Sequence, residues 1–131
     1  MKTKKTTAAL LFAAITMMSA MPADQVITKE DGMDVVNTTT LGQKVAGYIG
    51  ATPLKIYIKG NKVVKVVALK NQETPKYFAK VKKKLLDSWN GKKVKAASKM
   101  KVDAVTGATF SSKAVIKNVQ LGLDYYQKNK H

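Results

Sequence analysis

The stretch Leu54-Lys55-Ile56-Tyr57-Ile58-Lys59-Gly60-Asn61-Lys62-Val63-Val64-Lys65-Val66-Val67-Ala68-Leu69 decides the fold class. Its first six residues alternate with period two, which puts Leu54, Ile56 and Ile58 on one face of a strand. Gly60-Asn61 then separates that run from the apolar run Val63 to Leu69. A glycine-asparagine pair between two such runs is a two-residue hairpin signal, because glycine supplies the positive φ that the turn requires. Upstream, Val45 to Ile49 is a short apolar run broken by Gly47. It reads as a further strand, giving an antiparallel meander of about three strands.

The sheet stops at Asn71-Gln72-Glu73-Thr74-Pro75. Thr74 suits a helix N-cap and Pro75 the first helical position, where its missing N–H has no intrahelical partner to lose. Phe78, Val81, Leu85, Leu86 and Trp89 recur at helical spacing, so the helix is expected to run to about Trp89. Lys80, Lys82, Lys83 and Lys84 then make its wet face, and Asn90-Gly91 ends it. Lys92 to Lys101 reads as a lysine-rich connector and Val102 as the start of a short strand. Asp103 to Ser112 reads as loop. Val115, Ile116, Val119, Leu123 and Tyr126 mark a second amphipathic helix that ends near Lys128. The order predicts an α+β domain, a small antiparallel sheet of about three to four strands covered by two helices.

Composition narrows the chemistry. The chain has 131 residues, 24 basic residues, 8 acidic residues, one histidine and no cysteine. The length suits one domain. Without cysteine there is no disulfide, thiolate zinc site, cysteine-ligated iron–sulfur cluster or cysteine nucleophile. The histidine is His131, which argues against a catalytic triad or a multi-histidine metal site. Lys2, Lys4 and Lys5 precede the apolar stretch Ala8 to Met18, and the small residues Ser19, Ala20 and Ala23 follow. That is the layout of a secretory signal peptide over residues 1–23. Asp24 to Thr40 is polar and acidic and reads as a tether, though Met33 to Val36 suits a short edge strand. The expected division is a signal peptide at 1–23, a polar lead-in at 24–42 and a folded domain at 43–128.

From Val35 onward 20 lysines face 4 acids, and no arginine is present anywhere. Planar base and phosphate readout favours arginine, and an exported protein seldom meets nucleic acid, so none is expected as a partner. An anionic membrane surface, an acidic protein or a phosphorylated ligand suits the charge. A solvated lysine-rich surface explains it equally well.

The segment Asp103-Ala104-Val105-Thr106-Gly107-Ala108-Thr109-Phe110-Ser111-Ser112 carries the functional signal. Ala104, Gly107 and Ala108 let a ligand approach the backbone. Thr106, Thr109, Ser111 and Ser112 bring four hydroxyls to the start of a helix, whose first N–H groups favour anions. This describes a phosphate site, although neither the nucleotide-triphosphate loop nor the dinucleotide fingerprint is present. A tight loop with Thr109 or Ser111 as helix cap fits the same residues.

Asp103 to Thr109 resembles the flavinylation motif of the FMN-binding domain family: aspartate, a small residue, any residue, serine or threonine, glycine, alanine, threonine. Glu73-Thr74-Pro75 and Gly47-Tyr48 also resemble that family, and the likeness spans roughly Val45 to Tyr126. Members include the flavin-carrying subunits of the sodium-pumping NADH:quinone reductase and its Rnf relatives. The resemblance implies covalent FMN on Thr109 through a phosphoester, donated from FAD by a separate magnesium-dependent flavin transferase. It implies a cofactor site including Asp103, Thr106, Gly107, Ala108, Ser111 and Ser112, with the ring near Glu73, Thr74 and Tyr48. For Asp103 it leaves open orienting the loop, helping the transferase bind metal or accepting the threonine proton. Plainer roles exist: strand packing for Tyr48, a helix cap for Thr74, a dipole partner for Glu73, bonding of loop N–H groups for Asp103. The implied protein is an electron-transfer flavoprotein at the extracytoplasmic face of the membrane, exchanging electrons with a membrane redox complex or another carrier. It is a substrate of the transferase, and no evident substrate site marks it as a free-standing catalyst. A reversible flavin or phosphorylated-ligand binding module, and a basic surface protein without cofactor, are the alternatives.

Overall fold

The computed structural model describes residues 26–129; the expected signal peptide lies outside them. Four strands form one antiparallel sheet in chain order: β1 (Ile27–Glu30), β2 (Met33–Asn37), β3 (Leu54–Lys59) and β4 (Lys62–Ala68). Three helices follow: α1 (Pro75–Lys84), α2 (Val94–Lys99) and α3 (Thr109–Asn129), with a 3-10 turn at Leu86–Trp89. The α+β architecture is the expected one.

The β3–β4 hairpin turns at Gly60 and Asn61, where it was read from the sequence, and Asn61 as well as Gly60 takes positive φ. Of the Asp24–Thr40 segment, the described residues 26–40 are not a tether. Ile27–Glu30 and Met33–Asn37 pair with one another, and β2 pairs with β3 from Asp34↔Ile58 to Asn37↔Lys55. β2 is therefore an interior strand, and its Val35 and Val36 are fully buried. The turn between β1 and β2 uses Asp31 and Gly32, again both at positive φ.

The helices cover the face that carries Val36, Ile56 and Val66. A Cβ on Gly122 of α3 would lie 2.7 Å from Ile56 Cδ1 and 3.0 Å from Thr38 Cγ2. Glycine there lets the helix backbone approach the sheet closely, and Val115, Val119 and Leu123 pack into the core beside it. Phe78, Val81, Leu85 and Trp89 complete that core. The first helix stops earlier than its apolar stripe suggests, because the chain tightens into the 3-10 turn to bury Leu86 and Trp89.

Two further expectations are corrected. The Lys92–Lys101 connector contains α2, which buries Val94 and Ala97. Gly91 and Lys92 run along the edge of β4, with Gly91 N–H donating to Val63 O at 2.7 Å and Val63 N–H to Lys92 O at 2.9 Å. Val102 begins no strand, and α3 starts at Thr109 rather than after Ser112. Among the described residues no helix is long and apolar enough to cross a membrane.

Candidate functional site: an aromatic cleft at the start of the last helix

The Val45–Ile49 run is not a strand. Ala46 bridges Ala51, and Gly47 N–H donates to Gly50 O at 2.8 Å, which closes a tight loop with Tyr48 and Ile49 at its tip. The run's amides are turned toward Glu73 instead of a neighbouring strand. Tyr48 N–H donates to Glu73 Oε1 at 2.7 Å, and Ile49 and Gly50 N–H donate to Oε2 at 2.6 and 3.0 Å. The Ser111 hydroxyl donates to Oε1 from α3. Glu73 is 4% exposed. Burial pushes its pKa up, but the bonds from Ser111, Ile49, Tyr48 and Gly50 outweigh that and hold it below the ordinary carboxylate range.

Thr74 occupies the N-cap position of α1 but makes no side-chain cap bond. It faces the cleft, with Tyr77 a turn further on. On the opposite side the chain runs from Val105 to the start of α3. Ala108 N–H donates to Val105 O at 3.0 Å, and Val105 N–H donates to Ser112 Oγ at 3.0 Å. Gly107 takes φ 86°, which reverses the chain just ahead of Thr109. Neither Thr109 nor Ser111 caps the helix. Ala108 stands before it and brings no side-chain acceptor for the first N–H groups.

These segments enclose a cleft of ≈ 360 Å³, lined by Tyr48, Thr74 and Tyr77 on one side and by Gly107 to Ser111 on the other. That volume lies in the range of about 300–1,000 Å³ typical of small-molecule sites. Tyr48 is 72% exposed, Phe110 63% and Tyr77 43%. The Tyr48 and Phe110 rings stand 6.1 Å apart at 31°. Three exposed aromatics around one cleft suit a planar heterocycle. The other end is suited to a phosphate: small residues, the positive end of a 21-residue helix, and a nearby cation. Lys80 Nζ would lie 3.1 Å from a Cβ on Gly107, and Lys76 and Lys80 each stand 5.9 Å from the Tyr77 ring centre.

The family model for the FMN-binding domain matches residues 47–124, more than half of the chain. The chain belongs to the FMN-binding domain family. No curated protein and no solved structure matches it. FMN is accordingly its cofactor, and the cleft fits it. The three aromatic side chains would suit a tricyclic ring, and the loop before α3 would suit a phosphate.

Of the residues expected at the FMN site, Tyr48, Thr74, Gly107, Ala108, Thr109 and Ser111 line the cleft. Glu73 lies behind the wall and holds it. Ser112 is fully buried and fixes the loop through Val105. Asp103 and Thr106 are exposed and do not line the cleft. Tyr77 and Phe110 were given no role in the sequence reading. Both carried a signal: Tyr77 falls off the apolar stripe of α1, and Phe110 directly follows the motif's last threonine.

Proposed function

We propose that this FMN-binding domain is an exported electron carrier that holds FMN covalently on Thr109. The observation that carries the reading is the fate of the four motif hydroxyls. Ser111 is committed to Glu73 and Ser112 to Val105, and both are buried. Thr106 and Thr109 are exposed, and of these two Thr109 alone lines the cleft. Its hydroxyl sits at the first helical position, where a phosphate oxygen would meet the positive end of α3.

In the loading step Thr109 Oγ bonds to the FMN phosphorus of FAD as the pyrophosphate P–O bond breaks. AMP leaves and the threonine proton passes to a base. Glu73 is poorly suited to be that base, since four donors already face its carboxylate and its pKa is lowered. The family resemblance assigns the transfer to a separate magnesium-dependent flavin transferase, to which the exposed Thr109 is accessible. Phosphoryl transfer depends chiefly on positioning and charge stabilisation, so the acceptor domain supplies little more than a well-placed hydroxyl. Lys80 beside Gly107 favours the approach of the anionic donor.

Once bound, FMN supplies the electron-transfer chemistry, and the protein's part is to anchor and wall the ring. Tyr48, Tyr77 and Phe110 would give the ring apolar contact. The signal-peptide layout of residues 1–23 supports export, and a covalent bond keeps FMN from diffusing away outside the membrane. A membrane redox complex or another extracytoplasmic carrier would supply and take the electrons. The lysine excess would steer acidic partners or an anionic membrane surface toward the protein.

The test is coexpression with a flavin transferase in an exporting host, beside Thr109→Val. Denatured wild-type protein should fluoresce as flavin and gain the mass of one FMN less one water. The variant should show neither. An unmodified wild-type mass, with the transferase active on a known acceptor, would refute the covalent reading. Flavin titration would then separate reversible binding from a surface role without cofactor.

A further inference from the structure

The two walls of the cleft come from distant parts of the chain, and one buried carboxylate joins them. Glu73 has two oxygens with about four lone-pair directions. Four donors meet them: the amides of Tyr48, Ile49 and Gly50, and the Ser111 hydroxyl. No acceptor capacity is left for a ligand, and the side chain is nearly inaccessible. The clamp is held from behind, because Glu73 N–H donates to Asn71 Oδ1 at 3.0 Å and Asn71 Nδ2 donates to Leu69 O at 3.3 Å. It is held from the front by Gly47, where a Cβ would run into the carboxylate. The loop end of the clamp carries Tyr48. The helix end is Ser111, two residues after Thr109.

We infer that Glu73 is a positioning residue that never touches FMN: its carboxylate holds the Tyr48 wall and the Thr109 turn in one fixed relation. Presentation of the acceptor hydroxyl and contact between Tyr48 and the ring then depend on the same four hydrogen bonds. The inference rests on the reading of Thr109 as the flavin-bearing residue. Glu73→Gln is an informative break. Whichever way the amide is turned, at least one loop N–H faces an NH2 group. With the amide nitrogen toward Ser111, the opposed N–H is that of Tyr48 itself. Ser111→Ala is a gentler break that leaves the three backbone bonds and cuts the tie to α3.

The experiment uses the full chain as wild type, Glu73→Gln and Ser111→Ala. It measures thermal melting, the initial rate of transferase-catalysed flavin incorporation well below each melt, and the fluorescence of the incorporated flavin. Both variants should fold. Incorporation should slow by roughly tenfold or more, as expected for a displaced reacting group. The attached flavin should be brighter, because an aromatic wall that quenches it has moved. Folded variants with wild-type rates and wild-type fluorescence would overturn the inference and leave Glu73 a purely stabilising residue. If Glu73→Gln does not fold, Ser111→Ala decides by the same two readouts. Failure of the underlying reading is seen separately, as wild-type protein that gains no mass while a known acceptor is modified.

Discussion

Two glutamates accept hydrogen bonds, one from tyrosine and lysine side chains and the other from three backbone amides and a serine, and the contrast separates a surface contact from a part of the scaffold. Glu30 accepts Lys55 Nζ at 2.8 Å and Tyr57 Oη at 2.9 Å on the outer face of the sheet. Glu73 accepts three consecutive amides and a buried serine. The pKa of each is lowered, Glu30 chiefly by the bonds from Lys55 and Tyr57. The Lys55–Glu30 ion pair is part-exposed and screened by solvent, so it adds little, although Tyr57 beside it is buried. The donors to Glu73 belong to backbone whose shape depends on the bond. A carboxylate that completes a loop's hydrogen bonding becomes part of the scaffold; one that joins surface side chains does not.

The largest effect expected from this contrast is at Gly47. A Cβ there would overlap the Glu73 carboxylate and come within 3.2 Å of Ser111 Cα. The carboxylate cannot step aside without releasing the loop amides. Gly47→Ala should therefore destabilise the domain by about 1–3 kcal/mol, the usual range for overpacking. Gly50 is in the same loop with nothing within 4 Å of its Cβ position, so Gly50→Ala should melt close to wild type. Equal melts for the two variants would show that the carboxylate clamp is loose.

A smaller effect is expected in acid. A lowered folded pKa means that the contribution of Glu73 is fully present above the unfolded value of about 4.3. It is lost as the pH falls through the folded value. Wild-type stability should decline below about pH 4.3, and Glu73→Gln should flatten that limb because the titrating group is gone. Glu30→Gln should keep the limb, since its shift has the same sign but solvent screens it. Melts from pH 3 to pH 7 on the three proteins (about one unit apart, spanning the glutamate range) would check the order. An acid limb that disappears in Glu30→Gln instead would reverse the assignment.

The same contrast marks what could be read in the sequence. Gly60-Asn61, the Leu54–Ile58 alternation and Thr74-Pro75 announce their structures through local rules, and each lies where it was expected. The end of the Asp103–Thr109 motif, Gly107 to Thr109, lines the cleft and was legible for a similar reason: its small residues and hydroxyl are adjacent in the chain. The Val45–Ile49 run misleads because its apolar pattern resembles a strand, while its amides answer to a glutamate some 25 residues away. No local rule reveals such a partner. The β1–β2 hairpin was hidden by acid density, although Asp31-Gly32 is itself a hairpin pair and both residues take positive φ. Helix α2 is six residues long and shows only Val94 and Ala97 to the core, too few to establish a period. The start of α3 was missed because Ala108 stands where a capping side chain would have announced it. The proposed phosphate site suits that missing cap, since a capped helix end has less to offer an anion.

The smallest effect is expected at Glu30, and there the comparison is easiest to break. Lys65 Nζ lies 4.6 Å from the Tyr57 ring centre, so Glu30, Lys55, Tyr57 and Lys65 form one surface group. The group looks well connected, and a count of contacts would rank it beside Glu73. Glu30, Lys55 and Lys65, however, are partly or largely exposed, with Tyr57 the one buried member, and ordering those chains offsets much of the attraction. The Debye length shrinks to about 3 Å at about 1 M salt, which removes most of what remains. Glu30→Gln should melt almost with wild type in low salt and indistinguishably in high salt, with unchanged flavin incorporation. A drop as deep as that of Gly47→Ala, persisting in high salt, would mean that the outer face of the sheet is as firmly specified as the cleft. Backbone donors would then not be what separates the two glutamates.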